Sequence, residues 1–291
     1  MSAHPADRPD GSETPGEVPD LPAGIGGTDP DLPPQHTSED LAAAAALLTE
    51  AQGREPLLTL TDEQIAALDG YARAQFVAAP WLDEHPEQRR LASGIALRAM
   101  VASGQVHQRT EPGTGAPTWR AAPEITGCLV LRRTAPLFTT AERTVQTEQG
   151  PQVHRLHWYV HEAGVLEEEV SAAGLHRFTV LPAEAAASRL TAVLDPDRVA
   201  RAGGAPLHVS VSALAGHPLA ERLARTRALT VLTVVHTAEG SVQQLHAYAL
   251  PDAVLTMEAL DPGTEDPELE FREVDQADLQ ALASVLVGRA G

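Results

Sequence analysis

The densest set of groups able to do chemistry in this chain lies between residues 154 and 169. His154, His157 and His161 are followed by Glu162, Glu167, Glu168 and Glu169. Imidazoles and carboxylates in that mixture are what a zinc site or an acid–base pair is made of. The spacing argues against both. Alternation of Leu156, Trp158 and Val160 with His157, Tyr159 and His161 marks a strand, with the two sets on opposite faces. His157 and His161 then share a face but stand about 13 Å apart, too far to ligate one ion directly. No metal site and no cofactor are expected, and the histidines read as half-exposed sheet residues. The run Glu167-Glu168-Glu169 reads as a solvated strand edge that discourages edge pairing. No catalytic residue is assigned. There is no Gly-x-Ser-x-Gly, HExxH or phosphate-loop pattern, and Gly24-Ile25-Gly26-Gly27 follows no strand.

A second set is cationic. Arg89, Arg90, Arg98, Arg109, Arg120, Arg132 and Arg133 fall within residues 86–133, against Glu87, Glu111 and Glu124. Helices followed by a short hairpin over 39–120 give the order of a winged-helix module. In that alternative the chain is a DNA-binding regulator with a duplicated dimerisation or sensor half, and Arg89, Arg90, Arg98 and Arg109 contact nucleic acid. The whole chain opposes this: 21 basic residues, all arginine, meet 40 acidic ones, for a net charge of −19. Lysine and asparagine are absent, which reads as the imprint of a GC-rich genome. Cys128, the single cysteine, precludes an internal disulfide and reads as a buried hydrophobe. The opening MSAHPADRPDG lacks a basic start followed by an apolar stretch, and no apolar run reaches membrane-span length. A cytoplasmic protein without membrane contact is expected.

The elements that would position these groups divide the chain in four. Residues 1–38 form an acidic Pro/Gly-rich tail, expected to be disordered. Residues 39–126 are the helical, winged-helix-like part, with Thr61 and Gln64 as a capping box. Its third helix, about 87–103, takes Leu91, Ile95 and Val101 as apolar contributors. From 127 the period becomes two, with strands expected at 127–134, 139–147, 153–161, 164–170 and 175–181. Pro182 opens a helix as its first residue. After a linker at 195–206, strands at 228–237, 242–250, 253–260 and 268–274 precede a helix capped by Asp275, striped by Leu279, Leu282, Val285 and Leu286.

These strands carry a repeat. RLHWYVHEAGVLEEEV (155–170) aligns without a gap to QLHAYALPDAVLTMEA (244–259), with six of sixteen positions identical: Leu156/Leu245, His157/His246, Tyr159/Tyr248, Val165/Val254, Leu166/Leu255 and Glu169/Glu258. The sequence therefore predicts an α+β fold. Two copies of a β-β-β-α unit, 127–206 and 207–291, build one pseudo-twofold antiparallel sheet. Such an arrangement favours a surface-presenting scaffold over a single catalytic cleft. Its large side chains Trp158, Tyr159 and Tyr248 are candidate partner anchors, although Leu156 and Val160 beside Trp158 favour core packing there.

Three features together resemble the EspG-like cytoplasmic chaperones of type VII (ESX) secretion in high-GC Gram-positive bacteria: LASGIALRAMVASGQV leading into the short hairpin, the repeated strands around RLHWYV and QLHAYA, and the helix-closing ends SRLTAVL and LQALASVL. The resemblance covers about residues 55–288; the acidic tail and the acidic loop at 261–268 depart from it. It implies a non-enzymatic protein that holds a helical secretion substrate in the cytosol. The turns at Gln149-Gly150 and Glu239-Gly240 and the last helix would grip the tip of a substrate hairpin.

Overall fold

The computed structural model describes residues 36–50, 53, 55–73, 75, 77–110, 115 and 117–288. The expectation of disorder for the tail falls almost wholly outside them. The helical part consists of α1 (Ser38–Glu50), strand β1 (Leu58–Thr61), α2 (Asp62–Asp69), α3 (Pro80–Glu84), α4 (Arg89–Ala102), the hairpin β2 (Val106–Thr110) and β3 (Pro117–Ala121), and α5 (Pro123–Thr134). Then come β4 (Leu137–Thr147), β5 (Gly150–His161), β6 (Gly164–Val170), β7 (Leu175–Leu181) and α6 (Ala183–Leu194). After β8 (Leu207–Ser210), α7 (Val211–Leu214) and α8 (Pro218–Leu223) the chain ends in β9 (Ala228–His236), β10 (Ser241–Ala249), β11 (Val254–Leu260), β12 (Glu268–Val274) and α9 (Gln276–Val287). The protein is α+β, as expected. A ten-stranded antiparallel sheet runs β1-β7-β6-β5-β4-β9-β10-β11-β12-β8, and β2 and β3 form a separate two-stranded sheet.

The two strand sets meet at the centre, where β4 pairs β9 symmetrically about Ala141↔Leu232. The registers on either side correspond. His157 faces Glu168 and Tyr159 faces Leu166 across β5–β6; 89 residues on, His246 faces Met257 and Tyr248 faces Leu255 across β10–β11. The hairpins differ in their turns: Thr147↔Gly150 closes the first and His236↔Ser241 the second.

Alternation sorts the side chains as the sequence predicts. Leu156, Trp158 and Val160 point to the face covered by α6 and α9, with Leu190, Leu279 and Ala283. Tyr159 points to the other, packed beneath α1, α2, α4 and α5 with Leu47, Ile65, Leu97 and Leu129. Over the second half, among the described residues, that other face carries α7 and α8 alone, and Leu219 of α8 joins Leu255, Leu269 and Phe271 in a smaller cluster.

Several expectations are corrected. Residues 127–134 are not a strand but most of α5, so the boundary drawn at 126/127 falls inside a helix. Ile125 to Arg132 are all buried, and a run of apolar residues carries no period when every face is covered. Gly127 belongs in this helix because α1 crosses it closely. A β-carbon there would lie 2.5 Å from Leu47 Cδ1 and 3.0 Å from the Ala43 carbonyl oxygen. Gly127→Ala is therefore expected to lower stability by about 1–3 kcal/mol in urea unfolding, despite alanine's better helix propensity.

On α4 the inward residues are Ser93, Leu97 and Met100, whereas Leu91 and Ile95 are 67% and 59% exposed and Val101 is also exposed. On α9, Val285 is likewise exposed, while Leu279 and Leu286 are buried. Pro182 is the N-cap of α6 and not its first residue. The short edge strands β1 and β8 have no counterpart in the sequence reading. β1 ties the helical part to the sheet by pairing β7.

Candidate functional site

The histidine–glutamate cluster resolves into two networks on opposite faces of β6, and neither is a solvated edge. β6 lies inside the sheet, and Glu168 is 0% exposed. Its carboxylate accepts from Arg132 Nε at 2.9 Å, from the Tyr159 hydroxyl at 2.6 Å and from His176 Nδ1 at 2.5 Å. His176 Nε2 lies 2.6 Å from Asp62 Oδ1, and the other Asp62 oxygen accepts from the backbone N–H groups of Trp81 and Leu82. Asp69 closes the set, at 2.7 Å from Arg133 Nη2 and 3.5 Å from Arg132 Nη1. Burial opposes ionisation of Glu168, but Arg132 and His176 outweigh it and hold the carboxyl well below the usual range. Burial also acts against a charged His176, yet its bonds to Asp62 and Glu168 leave its pKa raised. An imidazole between two carboxylates donates from both nitrogens and is the cation. On the other face, Glu167 accepts from Trp158 Nε1 at 2.9 Å and pairs with Arg189 of α6 at 2.8 Å. These charges join helices to sheet.

His157 lies beside this network without joining it. It is buried against Phe138, and among the described residues neither ring nitrogen has a hydrogen-bond partner. Burial pushes its pKa down to about 4 against the pull of Glu168, so the ring is neutral. Among the described residues no group of three His, Cys, Asp or Glu is placed to hold a metal ion.

The expected anchors separate. Trp158 and Tyr159 are core residues, 0% and 2% exposed, and cannot take part in docking. Tyr248 is half-buried beside Phe271. The two turns do not converge. β4 and β9 run antiparallel, so Gln149-Gly150 lies beyond the Val145↔Ala228 end of the central pair and Glu239-Gly240 beyond the Leu137↔His236 end. At least about 26 Å of strand separates them. Thr237 fixes the second turn by donating to the carbonyls of Ala135 and Pro136.

The arginines are largely spoken for. Arg109 pairs with Glu39 and Arg120 with Asp40, both at 2.7 Å, while Arg132 and Arg133 belong to the buried network. Arg89 reaches the Arg73 carbonyl, and Arg90 lies 5.8 Å from the centre of the Tyr71 ring. Arg90 and Arg98 are exposed on α4, alongside Leu91 and Ile95.

One open concavity went unnoticed in the sequence. It is a groove of about 1260 Å³ beside the Gln149-Gly150 turn, where the ends of β4, β5, β9 and β10 meet the C-terminal turn of α6. Val145, Val153, Leu156, Val170 and Val193 supply apolar lining, and Arg143, Arg155 and Arg227 supply positive charge beside the carboxylates of Glu169 and Asp197. One wall is braced by Asp195, whose carboxylate accepts from the N–H groups of Val199 and Ala200 at 2.9 Å and from the Gln276 amide of α9. The residues come from both strand sets and lie up to 106 positions apart, Arg143 to Ala249, so no local motif announces them.

No protein-family model matches this chain, and no curated protein sequence matches it. Among the described residues no helix is long and apolar enough to cross a membrane.

Proposed function

We propose that this protein is a non-enzymatic cytoplasmic binding protein of the chaperone kind, EspG-like, which holds a helical type VII secretion substrate. The observation that carries the reading is the unequal cover of one broad sheet. Helices overlie one face throughout and the other mainly over its first half, and an apolar groove opens at the seam between the strand sets. Surfaces of this kind take up amphipathic helices. The reading includes an origin by duplication. Support for that comes from the coinciding registers of β5–β6 and β10–β11 and from the shared order of four strands and a helix. A non-enzymatic role accords with a buried cluster whose titratable groups are spent on one another under the helices.

The alternative, a winged-helix regulator of DNA, has less support. Helices and hairpin occur in the order required, but Arg109, Arg120, Arg132 and Arg133 are paired with the chain's own acids.

The test is co-expression of the full chain with helical-hairpin secretion substrates of its own host, followed by size-exclusion chromatography with light scattering. A co-eluting complex of fixed stoichiometry is expected. If every such substrate elutes apart from the chain, the reading fails.

A further inference from the structure

The groove lies on one side of the central strand pair, whereas on the other side the matching position, Val234, is buried in the core, and two residues mark the difference. Arg143↔Thr230 and Thr139↔Val234 are partners in β4–β9 at equal distances on either side of Ala141↔Leu232. Thr139 and Thr230 therefore occupy matching positions, both fully buried, as do Arg143 and Val234. On one side the Thr139 hydroxyl donates to the Leu286 carbonyl at 2.5 Å and draws the last turn of α9 down onto the sheet. On the other, the Thr230 hydroxyl accepts instead from Arg143 Nη1 at 3.2 Å. Among the described residues no corresponding hydrogen bond ties the last turn of α6 to Thr230, and the groove occupies the space beside it.

Arg143 is the unusual feature of this space. It is half-buried, and among the described residues no carboxylate lies within 4.0 Å of its guanidinium. The other cations of the groove are supplied: Arg155 meets Glu142 at 3.1 Å and Arg227 meets Asp197 at 2.8 Å. Burial costs Arg143 more than the distant Asp197 and Asp195 return, and its pKa is lowered. A half-desolvated guanidinium with three or more free N–H donors is matched by a carboxylate in a two-point contact. The volume exceeds the roughly 300–1,000 Å³ of small-molecule pockets and suits a piece of polypeptide. On the opposite side the corresponding space is closed by a helix turn.

We infer that this groove is a docking site for a short apolar segment of a partner protein, one or two helical turns long, carrying an aspartate or glutamate that pairs with Arg143. This rests on the binding-protein reading above and specifies the chemistry the partner must present.

The experiment selects random dodecapeptides displayed on phage against the full chain, with the Arg143→Val chain as counter-selection. Valine is what stands at the matching position 234, so the variant is built to keep the strand, and its melting temperature is checked first. A second variant, Ala192→Trp, obstructs the groove from an exposed position on α6 and leaves Arg143 in place. Enriched peptides are expected to place an acidic residue beside apolar ones. A synthetic copy should bind at least about tenfold more weakly to either variant, and replacing its acid by the amide should weaken it similarly. No enrichment, enrichment without an acid, or binding to either variant as tight as to the unchanged chain overturns the inference. A substrate complex that forms and ignores both substitutions also sinks it while leaving the binding-protein reading standing. Acid-dependent peptide binding without any substrate complex does the reverse.

Discussion

Glu168→Ala is expected to destabilise the protein by about 3–5 kcal/mol, the usual cost of removing one partner from a buried charge cluster. Arg132 and His176 would each keep a buried charge, and the Tyr159 hydroxyl would lose its acceptor. The damage would spread beyond β6, because those partners sit on α5, β7 and β5. Urea unfolding checks this through the transition midpoint. A loss under about 1 kcal/mol would mean that the ionic bonds are redundant with apolar packing. The second strand set supplies a control. There the position of Glu168 is taken by Met257, and the arginine of the overlying α8, Arg222, pairs with Glu273 towards the surface instead. Replacing Glu168, Arg132 and His176 together by apolar residues of similar volume, with Asp62→Asn to leave an acceptor for the Trp81 and Leu82 N–H groups, should cost less than the single change, since the one charge left in the cluster, Asp69, keeps Arg133.

The second large effect concerns acid. In the folded chain His157 stays neutral down to about pH 4, whereas in the unfolded chain it takes a proton near 6.5. Stability contributed by the neutral ring is complete above pH 6.5 and declines as pH falls towards 4, by up to about 3 kcal/mol over that window. Glu168 adds to the same limb, because its lowered pKa makes its contribution vanish as the carboxyl is protonated. His176 has the opposite sign. Its raised pKa gives stability that is complete below 6.5 and is lost as pH rises through the folded value. Melting temperature against pH should therefore pass through a maximum. His157→Leu should flatten the acid limb and raise stability at pH 5, since leucine abandons no hydrogen bond there. An unchanged acid limb in that variant would show that His157 is not its source.

Much of this scaffold could be read from periodicity. Strands β4–β7 and β9–β12, the helices that follow each set, the Thr61 capping box and the Asp275 cap all lie where alternation and capping residues put them. Trp158 and Tyr159 were legible as opposite-facing residues, but a period of two cannot say which faces are roofed. That is why Tyr159 and the glutamates of β6 read as surface groups. α5 escaped because complete burial removes the contrast between faces. α4 misled for a related reason: Leu91 and Ile95 are spaced like a core stripe, yet small Ser93 lets the helix turn Leu97 and Met100 inward instead. The groove was illegible because Arg143 signals nothing until Thr230 and Val234 are seen beside it across the strand pair.

The central pairing also constrains the order of events during synthesis. β4 gains its second neighbour only when β9, some 90 residues later, has been made. At about 5–20 residues per second, the growing polypeptide carries an eleven-residue outer strand for roughly 5–18 seconds with one row of amides and carbonyls unsatisfied. Such a row is a template for another ribosome's product. Because the pairing centres on Ala141, the fragment best matched to it in that interval is a second copy of the same strand. Adjacent nascent chains on one message are thus the principal hazard that this topology creates for itself.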